Sequence, residues 1–270
     1  MMHNPPSTSR PTKNISVFFI LTFIISLPFY FLAALVPQDM VMLVAPVLSL
    51  APITAALILT YRESRSDAVK KLLKRSFDYK RITKNIWYFP IFFIWPVLFG
   101  LAFGLLILLG EPIPALLLPI IAAPVAFLGF FIFALFEEVG WMGYSFDPMQ
   151  DRWNALNASL VLGILWAIWH IPFYIASGFE PVWIAGQLLS MIAIRILITW
   201  IFNNTGKSVF AAILVHTVYN VCTMMVPSFY TSLGHSITSI FIIITSVIVV
   251  FLWGSATLAQ YRFRAKVQVQ

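Results

Sequence analysis

The chain has 270 residues, of which 60% are hydrophobic and only 10% are charged. Soluble domains average roughly 45 to 50% apolar and about 25% charged residues. This composition therefore excludes a water-soluble globule, a disordered chain and a disulfide-stapled secreted domain. The single cysteine, Cys222, has no partner for an internal disulfide and is interpreted as a small hydrophobic residue.

The net charge of +7 is local and does not indicate nucleic-acid binding. Nine of the seventeen Lys and Arg residues fall within residues 62–84, together with only three acidic residues. A basic cluster between apolar stretches is typical of contact with an anionic membrane surface. We therefore predict that anionic lipid contacts residues 62–84 and that nucleic acid is not a partner.

Apolar runs of about 20 residues, the length at which a helix crosses the hydrocarbon, occur eight times. They predict an all-α polytopic bundle of eight transmembrane helices, at 15–36, 40–61, 86–109, 114–138, 157–176, 181–202, 208–227 and 236–259. The first run is longer than the apolar core of a signal peptide, so it is interpreted as a retained anchor. We expect one transmembrane domain, 1–270, with a tail at 1–14, a basic segment at 62–85 and a core with the candidate catalytic residues at 114–225.

The distribution of basic residues predicts the orientation. When the loops are assigned alternately to the two sides of the membrane, one side receives sixteen of the seventeen Lys and Arg residues. Both termini are therefore expected in the cytoplasm of a multi-pass protein, and the paucity of loops suggests a prokaryotic plasma membrane. Within the basic segment, apolar residues at helical spacing from Ala68 to Phe77 predict an amphipathic helix at the cytoplasmic interface, with a solvated charged loop as the alternative.

Five titratable side chains lie within the predicted spans: Glu137, Glu138, His170, Arg195 and His216. Each is costly in lipid, so we expect them to face the bundle interior and to mark a functional site. Helical rise places Arg195 and His216 at a similar depth, about 10 to 12 Å from the cytoplasmic ends, and His170 at about 20 Å. The two glutamates are expected near the cytoplasmic boundary if span 4 ends at Glu138, and deeper if the span runs on to Tyr144 or Phe146. His235, in an outer loop, is interpreted as ordinary surface.

The residue types suggest hydrolysis. A carboxylate and an imidazole in a partly dry cavity can hold and deprotonate water. A second histidine with an amide can donate hydrogen bonds to an oxyanion, and His216 and Asn220, at i and i+4, share one helix face.

Three segments in order carry a family resemblance: Phe136–Gly143, with both glutamates, Trp166–Pro172, with His170, and His216–Asn220. They resemble the motifs of the CPBP intramembrane proteases, which include the Rce1-type CAAX prenyl endopeptidases and proteins linked to bacteriocin self-immunity. The resemblance covers about residues 60–225.

The resemblance implies a role for each matching residue. Glu137 would activate the attacking water, His170 would hold that water and shuttle its proton, and Glu138 would support the site. His216 and Asn220 would form the oxyanion hole. Trp141 and Trp166 are expected to line or support the substrate site.

The chain departs from the family pattern at Met142, where family members typically carry Arg. This departure puts activity in question, and we hypothesise that Arg195 supplies the missing charge. Glu137, His170 and His216 could in principle ligate zinc, but the sequence has no His-Glu-x-x-His pair. We therefore favour water activation without a metal.

The leading prediction is an intramembrane endopeptidase that acts near the cytoplasmic face on a membrane-anchored protein or peptide. One alternative is a catalytically silent relative that binds a membrane partner, as in self-immunity. Another is a proton-coupled transporter. The sequence argues against it, because no paired interrupted segments occur in the two halves.

Overall fold

A computed structural model describes residues 14–112 and 120–263, which form helices and contain no strand. The α-helices of these two ranges are α1 Ile15–Leu35, α2 Ala45–Leu48, α3 Leu50–Lys74, α4 Tyr88–Leu108, α5 Ala123–Glu138, α6 Asp147–Trp153, α7 Ala155–Ala176, α8 Pro181–Asn204, α9 Val209–Met225 and α10 Ser232–Trp253. A π-helix, Val139–Phe146, joins α5 to α6, and short 3-10 turns occupy several loops.

The predicted all-α polytopic fold is confirmed. Seven helical stretches in the described ranges are long and apolar enough to cross a membrane, and α9 is a further apolar helix of 17 residues. At 1.5 Å per residue α9 is about 25 Å long, somewhat less than the hydrocarbon thickness. The start of predicted span 4 at 114 and four basic residues used for orientation, Arg10, Lys13, Arg264 and Lys266, lie outside the described residues.

One end of the bundle gathers the described basic loops, and we call it the basic end (residues 62–84, 147–154, 203–208 and 254–262). Arg75 Nη1 and Nη2 donate to the carbonyls of Gly143, at 2.8 Å, and Lys207, at 3.0 Å. Arg81 Nε donates to the Gly206 carbonyl at 2.8 Å. These contacts join loops that are distant in sequence, so the alternation on which the orientation prediction depends is present in the fold.

The remaining described loops, 36–44, 177–180 and 226–231, meet at the opposite end of the bundle. Gln38 Nε2 donates to the Ser177 carbonyl at 3.0 Å, and the rings of Phe179 and Tyr230 stack with centroids 6.3 Å apart. These three loops contain no Lys or Arg. The two ends of the bundle therefore differ strongly in charge.

The basic segment begins as a continuation of α3. Arg65 has φ 65° and ψ −170°, so the helix breaks there and a second helical piece runs on to Lys74. Leu72 in this piece is buried, whereas Leu73 and Phe77 remain exposed. The predicted helix in this segment is therefore present, attached to span 2 and docked on the bundle through Leu72.

The predicted end of span 4 at Glu138 is wrong, and the alternative of a longer span that draws Glu137 and Glu138 deeper is the one that the structure has. The helix does not stop at Glu138 but widens into the π-helix Val139–Phe146 and continues through α6 to Trp153. The glutamates therefore lie about midway along a helical stretch that runs from Ala123 to Trp153. All eight π-helical residues are buried, and π-helical turns are frequent at functional sites.

Gly140, in the first turn of the π-helix, permits a close approach to α3. A β-carbon built on Gly140 would lie 2.6 Å from the carbonyl oxygen of Pro52, so only glycine fits without movement of backbone. This contact seats the glutamate-bearing helix against span 2 immediately beside the two carboxylates.

Replacing Gly140 by Ala should destabilise the bundle by about 1 to 3 kcal/mol, because the added methyl group meets backbone atoms that cannot rotate away. Gly104→Ala is the matched control, since a β-carbon there meets no atom within 4 Å. Thermal unfolding in detergent should show a lower midpoint for Gly140→Ala alone. Equal midpoints for both variants would contradict the close packing.

Candidate active site

A cavity of about 780 Å³ lies within the bundle and collects most of the predicted site residues. Glu137, His170, His216, Asn220 and Trp166 all line it. Glu138, Arg195 and Trp141 do not line it and lie behind its wall. The structure thus separates side chains that can touch a substrate from side chains that hold the others in position.

Glu137 is held by two indole rings. Trp166 Nε1 donates to Glu137 Oε2 at 2.8 Å, and Trp141 Nε1 donates to the same oxygen at 3.3 Å. No side chain of the described ranges donates to Oε1. The carboxylate is therefore fixed through one oxygen, and the other is left to accept a hydrogen bond from water or substrate.

His170 has its tautomer set by its own helix. Nδ1 lies 2.9 Å from the carbonyl oxygen of Trp166, which can only accept a hydrogen bond, so Nδ1 carries a proton. In the neutral ring, Nε2 is then an acceptor. His170 is partly exposed, in keeping with its place on the cavity wall.

Glu138 is the centre of a buried charge network that joins three helices. Arg195 Nη1, from α8, lies 3.0 Å from Oε1 and 2.9 Å from Oε2 of this carboxylate. His216 Nδ1, from α9, lies 2.8 Å from Oε1. Glu138 and Arg195 are fully buried and His216 is nearly so, so each charge depends on its partners for solvation.

Arg195 lies where the hypothesis for it requires. Its guanidinium carbon is 4.3 Å from the centre of the Trp166 ring, so the residue that holds Glu137 also stacks on the cation that holds Glu138. Nε and Nη2 of Arg195 have no hydrogen-bond partner in the part of the chain that is described. Met142 is fully buried in the π-helix.

The oxyanion-hole residues share one face of α9, as expected. Asn220 lies one turn beyond His216, and both line the cavity. Because His216 Nδ1 donates to Glu138, its Nε2 can donate to an oxyanion only when the ring carries both protons. The Asn220 amide is a donor in every protonation state.

A second polar group lies on the cavity wall and was not predicted from the sequence. Gln187 Nε2 lies 3.3 Å from the hydroxyl oxygens of both Tyr174 and Tyr219, and Gln187 Oε1 accepts from His235 Nε2 at 3.1 Å. The interpretation of His235 as ordinary surface is wrong, because the ring is buried within α10. The sequence signal for this group is an uncharged Gln within a predicted apolar span.

The exposed part of the cavity wall lies at one end of the bundle. Its wall residues that are exposed, Gln38, Asp39, Met42, Tyr230 and Thr231, all belong to the end opposite the basic end. With the basic loops in the cytoplasm, as predicted, this mouth faces away from the cytoplasm. The predicted orientation and the predicted face of cleavage therefore exclude each other for this cavity.

The zinc alternative rests on Glu137, His170 and His216. No three His, Cys, Asp or Glu side chains in the described ranges are grouped so that they could hold a metal ion. In each of the two histidines Nδ1 is bonded to protein, to Trp166 or to Glu138.

Comparisons with known proteins agree with this geometry. The model of the family "type II CAAX prenyl endopeptidase Rce1-like" matches residues 119–222, which include Glu137, Glu138, His170, His216 and Asn220. The chain is also 28% identical over 227 residues to CAAX prenyl protease 2 of Methanococcus maripaludis, which covers 77% of this chain and 83% of the relative. The predicted resemblance to the CPBP/Rce1-like proteases is confirmed, and an intramembrane protease is the supported function class.

The buried charge network yields a stability prediction. Glu138→Gln and Arg195→Met should each lower the free energy of unfolding by about 3 to 5 kcal/mol, because each leaves the partner charge buried and unpaired. The double variant should lose less than the sum of the two. Lys70→Met removes an exposed ion pair with Asp67 and should not change the melting temperature measurably. Strictly additive losses would argue against direct coupling of Glu138 and Arg195.

Proposed function

We propose that this protein is an intramembrane endopeptidase in which Glu137 and His170 activate a water molecule that attacks a peptide bond of a membrane-anchored substrate. The observation that carries the proposal is the pair of free acceptors on one cavity wall, Glu137 Oε1 and His170 Nε2. A water between them can donate one proton to each. This arrangement directs a lone pair of the water toward a substrate carbonyl.

The remaining steps follow from the same side chains. The proton taken from the water passes to the leaving amine through His170, while Glu137 stabilises the charge that develops on the attacking oxygen. The Asn220 amide, with doubly protonated His216, donates hydrogen bonds to the tetrahedral oxyanion. Collapse of the intermediate breaks the C–N bond and gives one new carboxyl group and one new amine.

Arg195 has a positioning role in this proposal. Arg195 does not line the cavity. It pairs with Glu138, which orients His216. It also stacks on Trp166, which orients Glu137. We propose that Arg195 replaces the cation that the family pattern places at Met142. The chain would then be catalytically competent despite Met142.

Two further proposals concern what is bound. We propose that no metal takes part, because Glu137, His170 and His216 are not grouped among the described residues so that they could hold an ion, and the Asn220 amide suits an oxyanion better than a cation. Residues 62–84 are proposed to contact anionic lipid head groups. Exposed Leu73 and Phe77 beside the lysines fit a helix that lies in the membrane interface.

Substitution of Glu137 by Gln, which keeps its size, should reduce substrate processing by about 10²- to 10⁴-fold. Glu111→Gln, an exposed loop glutamate, is the matched control and should process normally. Comparing membrane proteomes of cells carrying the two variants should reveal the substrate as an uncut protein that accumulates only with Glu137→Gln. Equal expression and insertion of both variants must be shown by immunoblotting of membranes.

The same strains separate the alternatives. A cellular phenotype that is unaffected by Glu137→Gln and His170→Ala would replace the protease by a binding protein. Proton-coupled uptake by proteoliposomes would support a transporter. Zinc in the purified protein, with activity that a chelator removes, would overturn the metal-free mechanism.

Asn220→Ala should lower kcat by about 10²- to 10³-fold with little change in KM, because the amide is used only when the oxyanion forms. Cys222→Ala, a buried change on the same helix that does not line the cavity, should retain activity. The measurement is steady-state cleavage of the identified substrate in detergent or liposomes. An Asn220→Ala protein with normal kcat would remove this residue from the oxyanion hole.

A further inference from the structure

The mouth of the active-site cavity lies at a single end of the bundle among the described residues. The exposed wall residues Asp39, Met42, Tyr230 and Thr231 form this mouth, and Glu137 lies at the inner part of the wall. The wall between them includes Phe179 and Trp183, whose rings stack with centroids 4.0 Å apart. We call these two rings the aromatic collar. A substrate that enters at the mouth passes them before it reaches the candidate catalytic residues.

At the basic end, polar contacts join the loops and the start of α9. Asp78 accepts from Ser208 Oγ at 2.7 Å and from the Phe210 amide at 3.2 Å, which caps the start of α9. Lys207 Nζ lies 2.9 Å from Asp147. None of these residues, and none of the π-helix Val139–Phe146, lines the cavity. The described residues thus provide an opening toward one membrane face and a closure toward the other.

The charge distribution assigns a side to this opening. Sixteen of the seventeen Lys and Arg residues fall on one side of the alternating topology, and a bias of this size sets the cytoplasmic side in multi-pass proteins. Accepting the endopeptidase activity proposed above, we propose that the active site is entered from the extracytoplasmic face. Its substrate is then an apolar peptide segment presented outside the cytoplasm, such as the outer end of a membrane-spanning helix.

The cavity wall has the chemistry expected for an apolar extended peptide. The hydroxyls of Tyr174 and Tyr219, linked by the Gln187 amide, provide hydrogen-bonding groups along an otherwise aromatic surface. A peptide backbone needs such groups once it leaves water. Asp39 is the charged residue at the mouth and no Lys or Arg lines the wall, so an acidic segment is disfavoured.

Cysteine accessibility tests the side of entry without requiring proteolysis. Thr223, on the cavity wall, is replaced by Cys in a Cys222→Ala background, and Lys80→Cys marks the basic end. A membrane-impermeant cationic methanethiosulfonate is applied to right-side-out spheroplasts or to inverted vesicles. Protection from later maleimide labelling is then measured on the denatured protein.

We expect Thr223→Cys to react at least about 10-fold faster in spheroplasts and Lys80→Cys at least about 10-fold faster in inverted vesicles; this threshold is an order of magnitude set by the exclusion of charge from the bilayer. Reaction of Thr223→Cys mainly in inverted vesicles would overturn the proposal. Labelling of Lys80→Cys from outside, or of Thr223→Cys from neither side, would also overturn it.

A second arm tests passage through the mouth. Thr231→Cys, on the rim, and Leu233→Cys, exposed at the same end but off the cavity wall, are coupled on intact cells to a bulky impermeant maleimide. The Thr231→Cys adduct should reduce processing of the identified substrate at least about 10-fold, whereas the Leu233→Cys adduct should not, because only the first obstructs the opening. Equal processing by both adducts would exclude entry through this mouth. If no substrate exists, the first arm still determines the side of the opening.

Discussion

The arrangement of the candidate active site depends on one carboxylate that is shared by an arginine and a histidine inside the bundle. Glu138 is completely buried, and an unpaired charge there would cost several kcal/mol. Arg195 from α8 and His216 from α9 both contact this carboxylate. A shift of either helix would therefore remove one of the partners of a buried charge. The ring stack between Arg195 and Trp166 adds α7 to the same arrangement. Four helices are therefore fixed around the floor of the cavity by one ion-pair network.

The two adjacent glutamates are used in different ways. Successive residues of a helix point about 100° apart, so one carboxylate can face the cavity while its neighbour faces the protein. Glu138 is neutralised by charged partners, whereas Glu137 receives hydrogen bonds from the uncharged indoles of Trp141 and Trp166. Neutral donors fix the orientation of Glu137 without pairing its charge. Its other oxygen receives no hydrogen bond from a side chain of the described ranges.

The sequence was sufficient to predict the helical bundle, the basic end and most of the site. Costly side chains in apolar spans can be recognised individually, and the similar estimated depth of Arg195 and His216 matches their shared contact with Glu138. The sequence left the depth of the glutamates open between a span that ends at Glu138 and one that runs on to Tyr144 or Phe146, whereas the structure continues the helix through a π-helical segment. No local sequence pattern distinguishes that widening from an ordinary end.

The end at which the cavity opens also could not be predicted from the individual spans. Helix length and charge indicate which loops share an end, but not which end leaves a gap between the helices. That outcome depends on side-chain packing between distant residues, such as Trp183 with Phe179 at the mouth and Asp78 with the start of α9 at the basic end. His235 illustrates the same limit, because its burial against Gln187 follows from how α10 packs on α8.

Water and substrate must use one route to the candidate catalytic residues. The Glu138–Arg195 pair and the buried π-helix lie outside the cavity wall, so in the proposed mechanism the attacking water reaches Glu137 through the mouth. In this proposal, a peptide that fills the aromatic collar displaces the bulk water. It leaves room for the one water molecule that Glu137 and His170 hold. Exclusion of the remaining solvent strengthens every hydrogen bond in the site. Indoles are suited to hold Glu137 here, because they need no water to complete their own hydrogen bonding.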